Sequence, residues 1–261
     1  MSYSHFCMDL SILGSGTCVP SLSRSSCSVL IRSGDEKMLL DLGAGTIRRL
    51  LEAGENIREI SVVFFSHFHP DHTGEFVSFL FANKYPDRAA RQRMLTVMGG
   101  KGLSRFYSGL RDVYGHVIEL PGRLFRLVET DAKGYDTRQL GVFLVQSVPV
   151  AHCPESIACK ITAADGRSVV YSGDTDYCDS LIELARDADV LICESSFPDG
   201  MKVKGHLTPS MAGEIAARAN VRKLVLTHFY PECDTVDIEA QCRRAYSGSL
   251  VLATDMLKIE I

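Results

Sequence analysis

Apolar positions along this chain recur in two alternating rhythms, one of strand length and one at helical spacing. Leu10–Leu13, Ser28–Ile31 and Met38–Leu40 are strand-sized runs, and the Gly-Asp-Glu-Lys segment at 34–37 makes a hairpin of the last two. Ile47, Leu50 and Leu51 then fall at helical spacing, with Gly54 as the stop. Ser61–Phe65 is an apolar strand that ends in polar residues. Thr73 is placed to cap a helix reaching about Asn83, with Phe76, Phe79 and Leu80 on one face.

The second half repeats the plan. Gly141–Val150 reads as one long strand, and Ile157–Thr162 pairs with Ser168–Tyr171 across the Asp165-Gly166 turn. A helix near Asp179–Arg186 leads to the strand Val190–Cys193. A second, capped by Thr208, runs from Pro209 to Ala219 and leads to Lys223–Thr227. A helix near Val236–Tyr246 and strands at 250–252 and 256–260 close the chain, while Leu103–Pro121 shows neither rhythm cleanly. No low-complexity linker intervenes. The expectation is an α/β fold in one domain, 1–261, with two similar halves of about 1–135 and 136–261. Its two mixed sheets pack face to face with helices outside. Functional groups then collect where strands end in loops.

Composition narrows the classes. With 261 residues, 46% hydrophobic and 23% charged, the chain can build a sizeable core, and 21 Gly with 9 Pro exclude a collagen-like or low-complexity chain. A net charge of -4 argues against broad electrostatic binding to nucleic acid. No apolar run reaches the length of a membrane span. Met1 to Asp9 lacks a basic region followed by an apolar one, so no signal peptide is expected. Nine scattered cysteines without a C-x-x-C pair read as reduced thiols of a cytoplasmic protein.

The strongest chemical signal is Phe65-Ser66-His67-Phe68-His69-Pro70-Asp71-His72-Thr73-Gly74. His67 and His69 differ by two positions, so an extended segment points both to one side. Imidazole and carboxylate suit a catalytic Zn, Mn or Fe ion, and four such groups in one loop exceed what one open ion takes, which suggests two. A lone histidine is more often a packing residue; a cluster of this density is not. His152, Asp174 and His228 each follow a strand-like run, and His206 precedes the Thr208 cap. His5 and His116 have no such context and read as surface or packing residues.

The string His67-x-His69-x-Asp71-His72 resembles the H-x-H-x-D-H signature of the metallo-β-lactamase fold. Leu39-Leu40-Asp41-x-Gly43-x-Gly45, Tyr171-Ser172-Gly173-Asp174-Thr175 and Thr227-His228 are similar to its strand-to-turn, bridging-aspartate and last-ligand motifs. The resemblance covers nearly the whole chain and implies a four-layer αβ/βα sandwich. Within the superfamily, Leu13-Gly14-Ser15-Gly16-Thr17 with Val19-Pro20-Ser21, and Cys193-Glu194-Ser195-Ser196-Phe197 with Gly205-His206-Leu207-Thr208, resemble the ribonuclease Z group of phosphodiesterases. By that resemblance His67, His69 and His152 hold one divalent ion, most simply zinc, with manganese or iron as alternatives. Asp71, His72 and His228 hold a second, and Asp174 bridges them. A homodimer is implied by resemblance only.

Two features depart from the group. Its tRNA-processing members insert a long Gly/Pro-rich arm after the third metal histidine, whereas Ile157–Thr162 turns straight into Ser168–Tyr171. Cys193 also replaces a usual histidine, leaving Glu194 and His206 in place. The expected enzyme is therefore a dinuclear metal-dependent phosphodiesterase acting on a small phosphodiester or nucleotide-type substrate. Two ions about 3.5–4 Å apart hold a bridging hydroxide; Asp71, His206 and Glu194 are the catalytic candidates, with His206, oriented by Glu194, protonating the leaving group. The alternatives are a tRNA 3′-processing endoribonuclease, and a thioester or lactone hydrolase, which would have little use for a Glu194–His206 pair. A di-iron redox enzyme would carry Glu where His69 stands. Among weaker features, Gly14-x-Gly16 reads as a tight turn, Arg24, Ser25 and Ser26 as an exposed loop or an anion site, and Arg88–Arg93 as a solvated basic face. Phe229 and Tyr230 read equally as packing or as pocket lining.

Overall fold

The computed structural model describes residues 8–86, 90–131 and 136–261. His5, Cys7 and the start of the Arg88–Arg93 run lie outside them. The first sheet contains β1 (Met8–Gly14), β2 (Ser28–Ser33), β3 (Glu36–Leu40), β4 (Val62–Phe65), β5 (Leu95–Gly99) and β6 (Phe125–Glu129). The second contains β7 (Asp136–Leu140), β8 (Phe143–Pro149), β9 (Ile157–Thr162), β10 (Ser168–Tyr171), β11 (Val190–Glu194), β12 (Lys223–Thr227) and β13 (Ser249–Leu252). The last strand, β14 (Leu257–Glu260), returns to pair with β1. Spatial orders are β14-β1-β2-β3-β4-β5-β6 and β13-β12-β11-β10-β9-β8-β7. Each sheet begins with antiparallel pairs and continues parallel, from β3 in one and from β10 in the other.

Strand alternation sorts the core into layers. Leu10, Ile12, Val29, Ile31, Met38, Leu40, Val62 and Phe64 meet the second sheet. Their neighbours Leu30, Leu39, Val63 and Phe65 face the opposite way, into a separate cluster with Leu50, Phe76, Phe79 and Leu103 from the helices. Those helices are α1 (Thr46–Glu52), α2 (Pro70–Thr73), α3 (Phe76–Lys84) and α4 (Leu103–Tyr114); α5 (Asp179–Ala185), α6 (Pro209–Arg218) and α7 (Ile238–Arg243) cover the second sheet. The fold is thus a four-layer α/β sandwich with two mixed sheets of seven strands each. Among the described residues no helix is long and apolar enough to cross a membrane, and eight cysteines are free thiols.

Several local expectations change. The run 141–150 is the second arm of a hairpin: β7 and β8 turn at Gly141, whose φ is 60°. Thr73 donates its hydroxyl to the His69 carbonyl (3.0 Å) rather than capping a helix, and Thr208 makes no capping bond. Arg91 is buried, not solvated: its guanidinium donates to the carbonyls of Ile57 (3.1 Å) and Ile60 (2.6 Å) and to Asn83 Oδ1 (2.9 Å). Burial lowers its pKa to about 10. Gly14 is a packing necessity, because a Cβ there would lie 1.9 Å from the Ser26 carbonyl oxygen.

Candidate metal centre

The C-terminal ends of β3, β4, β8, β10, β11 and β12 share one rim, and the polar residues beyond them converge there. Two links close the rim between the sheets: Ile157 N–H donates to the Ser66 carbonyl (2.9 Å), and the Tyr171 hydroxyl to Asp41 Oδ2 (2.6 Å). Gly173, at φ 55°, permits that closeness, since a Cβ would fall 2.4 Å from the Ser66 Cβ. His228 and Asp41 adopt φ of 61° and 58°, a left-handed conformation uncommon for non-glycine residues.

His67, His69, His152 and Asp174 form one group of converging donors, and Asp71, His72 and His228 a second. Asp174 lies between them. Its Oδ1 is 3.2 Å from His72 Nε2 and 3.3 Å from His228 Nε2, while Oδ2 is 3.8 Å from His67 Nε2 and 3.9 Å from His152 Nε2. All seven candidates therefore meet in one place. His116 is exposed and apart.

The outer nitrogens fix the inner ones. His67 Nδ1 meets Ser66 Oγ (3.0 Å), His72 Nδ1 meets Asp41 Oδ2 (2.6 Å), His152 Nδ1 meets the Gly205 carbonyl (2.8 Å) and His228 Nδ1 meets Ser196 Oγ (2.9 Å). The Ser66 and Ser196 hydroxyls are spent as donors on Asp41 and Glu194, so they accept from the imidazoles. Each of these rings then carries a proton on Nδ1 and turns Nε2 inward, as ligating histidines do. His69 is reversed: Nδ1 faces His152 Nε2 at 3.3 Å and Nε2 faces the Cys153 thiol at 3.6 Å.

This arrangement is unbalanced without a cation. His72 Nε2 and His228 Nε2 crowd to 3.3 Å, and the buried His67 Nε2 and Asp174 Oδ1 have no hydrogen-bond partner. Burial, with the neighbouring His72, lowers His67 to about 2, so it stays neutral. Burial opposes ionisation of Asp71 and Asp174, but the imidazoles of His228 and His72 outweigh it; Asp71 is held at about 2 and Asp174 well below its ordinary value. Burial would likewise depress His72, yet Asp174 and Asp41 hold it well above normal. Two ionised carboxylates among imidazoles whose inner nitrogens converge form a donor set that fits divalent cations, with a bound ion taking the place of the proton that Asp174 and Asp41 favour on His72.

His206 stands beside this set. Its Nδ1 bonds Glu194 Oε1 (3.1 Å) and Ser196 Oγ (3.2 Å) and lies 3.9 Å from Asp174 Oδ2. Burial pulls its pKa down, but the Glu194 carboxylate prevails and raises it. Glu194 does more than orient that ring: its carboxylate also accepts from Thr175 N–H (2.8 Å) and Leu207 N–H (3.1 Å), holding the Asp174 loop against the His206 loop. The Tyr230 ring stacks on Phe197 at 4.3 Å and flanks His206, whereas Phe229 is buried beneath Arg24. Arg24 is itself engaged by Ser15, Ala253 and Asp234, so it is a loop anchor. The sequence places Asp41, Ser66 and Ser196 inside the quoted motifs but gives them no role of their own.

Comparison with known proteins agrees with the geometry. The sequence pattern of the beta-lactamase superfamily domain matches residues 38–229. Ribonuclease Z of Methanosarcina acetivorans is 29% identical, covering 97% of each chain, and that alignment spans 300 positions, more than this chain's whole length. The mouse zinc phosphodiesterase ELAC protein 2 is 28% identical over 85% of this chain, which spans 29% of that longer protein. Among solved structures, the metallo-beta-lactamase fold protein YhfI from Bacillus subtilis superposes with a TM-score of 0.85 at 22% identity, covering 98% of this chain and 100% of that one.

Proposed function

This chain belongs to the beta-lactamase superfamily, in its ribonuclease Z-like group, and from that premise we propose that it is a two-metal phosphodiesterase acting on small or nucleotide-type diesters. The observation that carries the reading is Asp174, whose two carboxylate oxygens each face a separate histidine set. His67, His69 and His152 would hold one ion and Asp71, His72 and His228 the other. When bound, such ions offset charge on phosphoryl oxygens and acidify water. The chain's own contribution is orientation and proton supply. Asp41, Ser66, Ser196 and Gly205 fix ring tautomers. His206, with its Nδ1 on Glu194, leaves Nε2 as the nitrogen able to give a proton to the departing alkoxide.

The relatives' names support RNA as a second substrate class. The β9–β10 turn opposes it: the loop closes with Ala163 N–H on the Arg167 carbonyl, so no arm projects there. Metal-stripped and zinc-loaded protein assayed with bis-p-nitrophenyl phosphate, a thioester, a lactone and a precursor tRNA tests both readings. Zinc-dependent diester cleavage, lost in Asp174→Ala, is expected. Faster cleavage of the precursor tRNA would give the substrate to RNA, and turnover of the thioester or lactone alone would remove the phosphodiesterase reading.

A further inference from the structure

A second concave surface adjoins the metal loop. It has a volume of about 520 Å³ and is lined by Phe68, Lys101, Arg105, Phe106 and Glu155, with Gly102 and Leu110 at its base. Phe68 lies between His67 and His69 in sequence, and Glu155 follows His152 and Cys153. The turn before α4 rests directly on that second segment: a Cβ on Gly100 would sit 2.0 Å from the Glu155 carbonyl oxygen. The groove therefore lies against the two segments that carry His69 and His152.

We propose that this groove is a nucleotide subsite, where a base stacks on Phe68 at the open end of an aromatic ladder and the phosphate on the far side of that nucleotide pairs with Lys101 and Arg105. The inference rests on the phosphodiesterase reading and deepens it, by naming what hangs from the ester being cleaved. Phe76, Phe106 and Phe68 form a ladder of near-parallel rings, 6.4 Å apart at 14° and then 4.9 Å at 10°, and Phe68 is its half-buried end. Gly102, at φ 101°, presents no side chain to Phe68; a Cβ there would be 3.8 Å from its ring. Flat aromatic surface beside a cationic edge is the pairing that single-stranded nucleic acid uses, since every base has a π-face.

The two cations are available. Neither Lys101 nor Arg105 makes a hydrogen bond or ion pair among the described residues, and both are exposed. Glu129, a carboxylate that feels the Lys101 charge, is already engaged by the N–H groups of Gly102 (2.9 Å) and Ser104 (2.9 Å). Among the described residues Glu155 is the one acid lining the groove, and it suits a base N–H or a sugar hydroxyl. An apolar partner would gain nothing from the cations, and a simple alkyl diester would reach neither rings nor charges.

Three esters that share one leaving group test this on the zinc-loaded full chain: methyl p-nitrophenyl phosphate, thymidine 5′-(p-nitrophenyl phosphate), and the latter with a 3′-phosphate. The nucleoside is expected to raise kcat/KM about tenfold through KM, as base stacking does. The 3′-phosphate should add about another tenfold, the worth of charge-assisted hydrogen bonds. Lys101→Ala/Arg105→Ala removes the second gain, while Arg123→Ala, a cation at another surface, leaves both gains intact. Calorimetric binding of thymidine 3′,5′-bisphosphate, read without turnover, should weaken about tenfold in the double variant. Equal kcat/KM for the three esters with unchanged bisphosphate affinity in the double variant overturns the subsite and leaves the phosphodiesterase reading standing. Weakened bisphosphate binding with no turnover of any ester does the reverse.

Discussion

Asp41 accepts from His72 Nδ1 and from the hydroxyls of Ser66 and Tyr171 while wholly buried, so its carboxylate is saturated with donors. Asp41→Asn would place an amide N–H against at least one of those donors. Apparent zinc affinity should fall about 10–100-fold, the usual cost of losing a partner behind a ligating histidine. Competition with a chromophoric chelator measures it, and unchanged affinity would remove Asp41 from the orienting role. His206→Ala should instead keep its zinc and lose about 10²–10⁴ in kcat on alkyl esters, and less on nitrophenyl esters that leave unaided. Loss of zinc from that variant would make His206 a ligand, a position its 3.9 Å approach to Asp174 also permits. The ligand candidates could be read from sequence because histidine and aspartate at such density are rare. The orienting roles of Asp41, Ser66 and Ser196 could not, because a serine or an aspartate shows which imidazole it serves only once folding sets the two together.

The helices around the centre are fastened from outside. α1 has no capping side chain of its own; Glu75 reaches across to accept from Gly45 N–H (2.9 Å) and Ile47 N–H (2.6 Å). Glu75→Ala should cost about 0.5–2 kcal/mol, the range for a lost N-cap, read as a lower denaturant midpoint at unchanged slope. Glu129 does the same for α4, and the Gly102 and Ser104 N–H groups hold its carboxyl below the ordinary value. The depressed folded pKa means its contribution is present above the unfolded value and fades as pH falls through the folded one, a loss that Glu129→Gln should abolish. These caps lie 28 or more residues from one helix start and 25 or more from the other, beyond the reach of local capping patterns. Three strands escaped sequence reading: β5, buried throughout but only five residues long and closed by Gly99-Gly100, and the two edges β6 and β7. β7 is Asp-Thr-Arg-Gln-Leu, mostly exposed, and such edges are kept polar against mispairing. By contrast β4, β10 and β11 are buried throughout and stood out as apolar runs.

At the scale of the whole molecule, the centre is also a joint. His67, His69, Asp71 and His72 extend from the first sheet, whereas His152, Asp174 and His228 extend from the second. Divalent ions held by both sets would add a cross-link to the hydrogen bonds that tie the rims, and they would offset the two carboxylates gathered there. The unfolded chain has no such assembled set, so the binding free energy adds to folding stability. At a free zinc concentration of 100 times Kd the gain is about 2.7 kcal/mol, which for a chain of this size corresponds to about 5–10 °C in Tm. Chelator-treated protein should therefore melt lower than zinc-loaded protein by that margin. Asp174→Ala should shrink the gap, because it removes the carboxylate that faces both histidine sets, whereas Arg123→Ala should leave it unchanged. Coincident melting curves with and without zinc would show that the two sheets hold their rim geometry unaided, and would take from the centre its part in keeping them together.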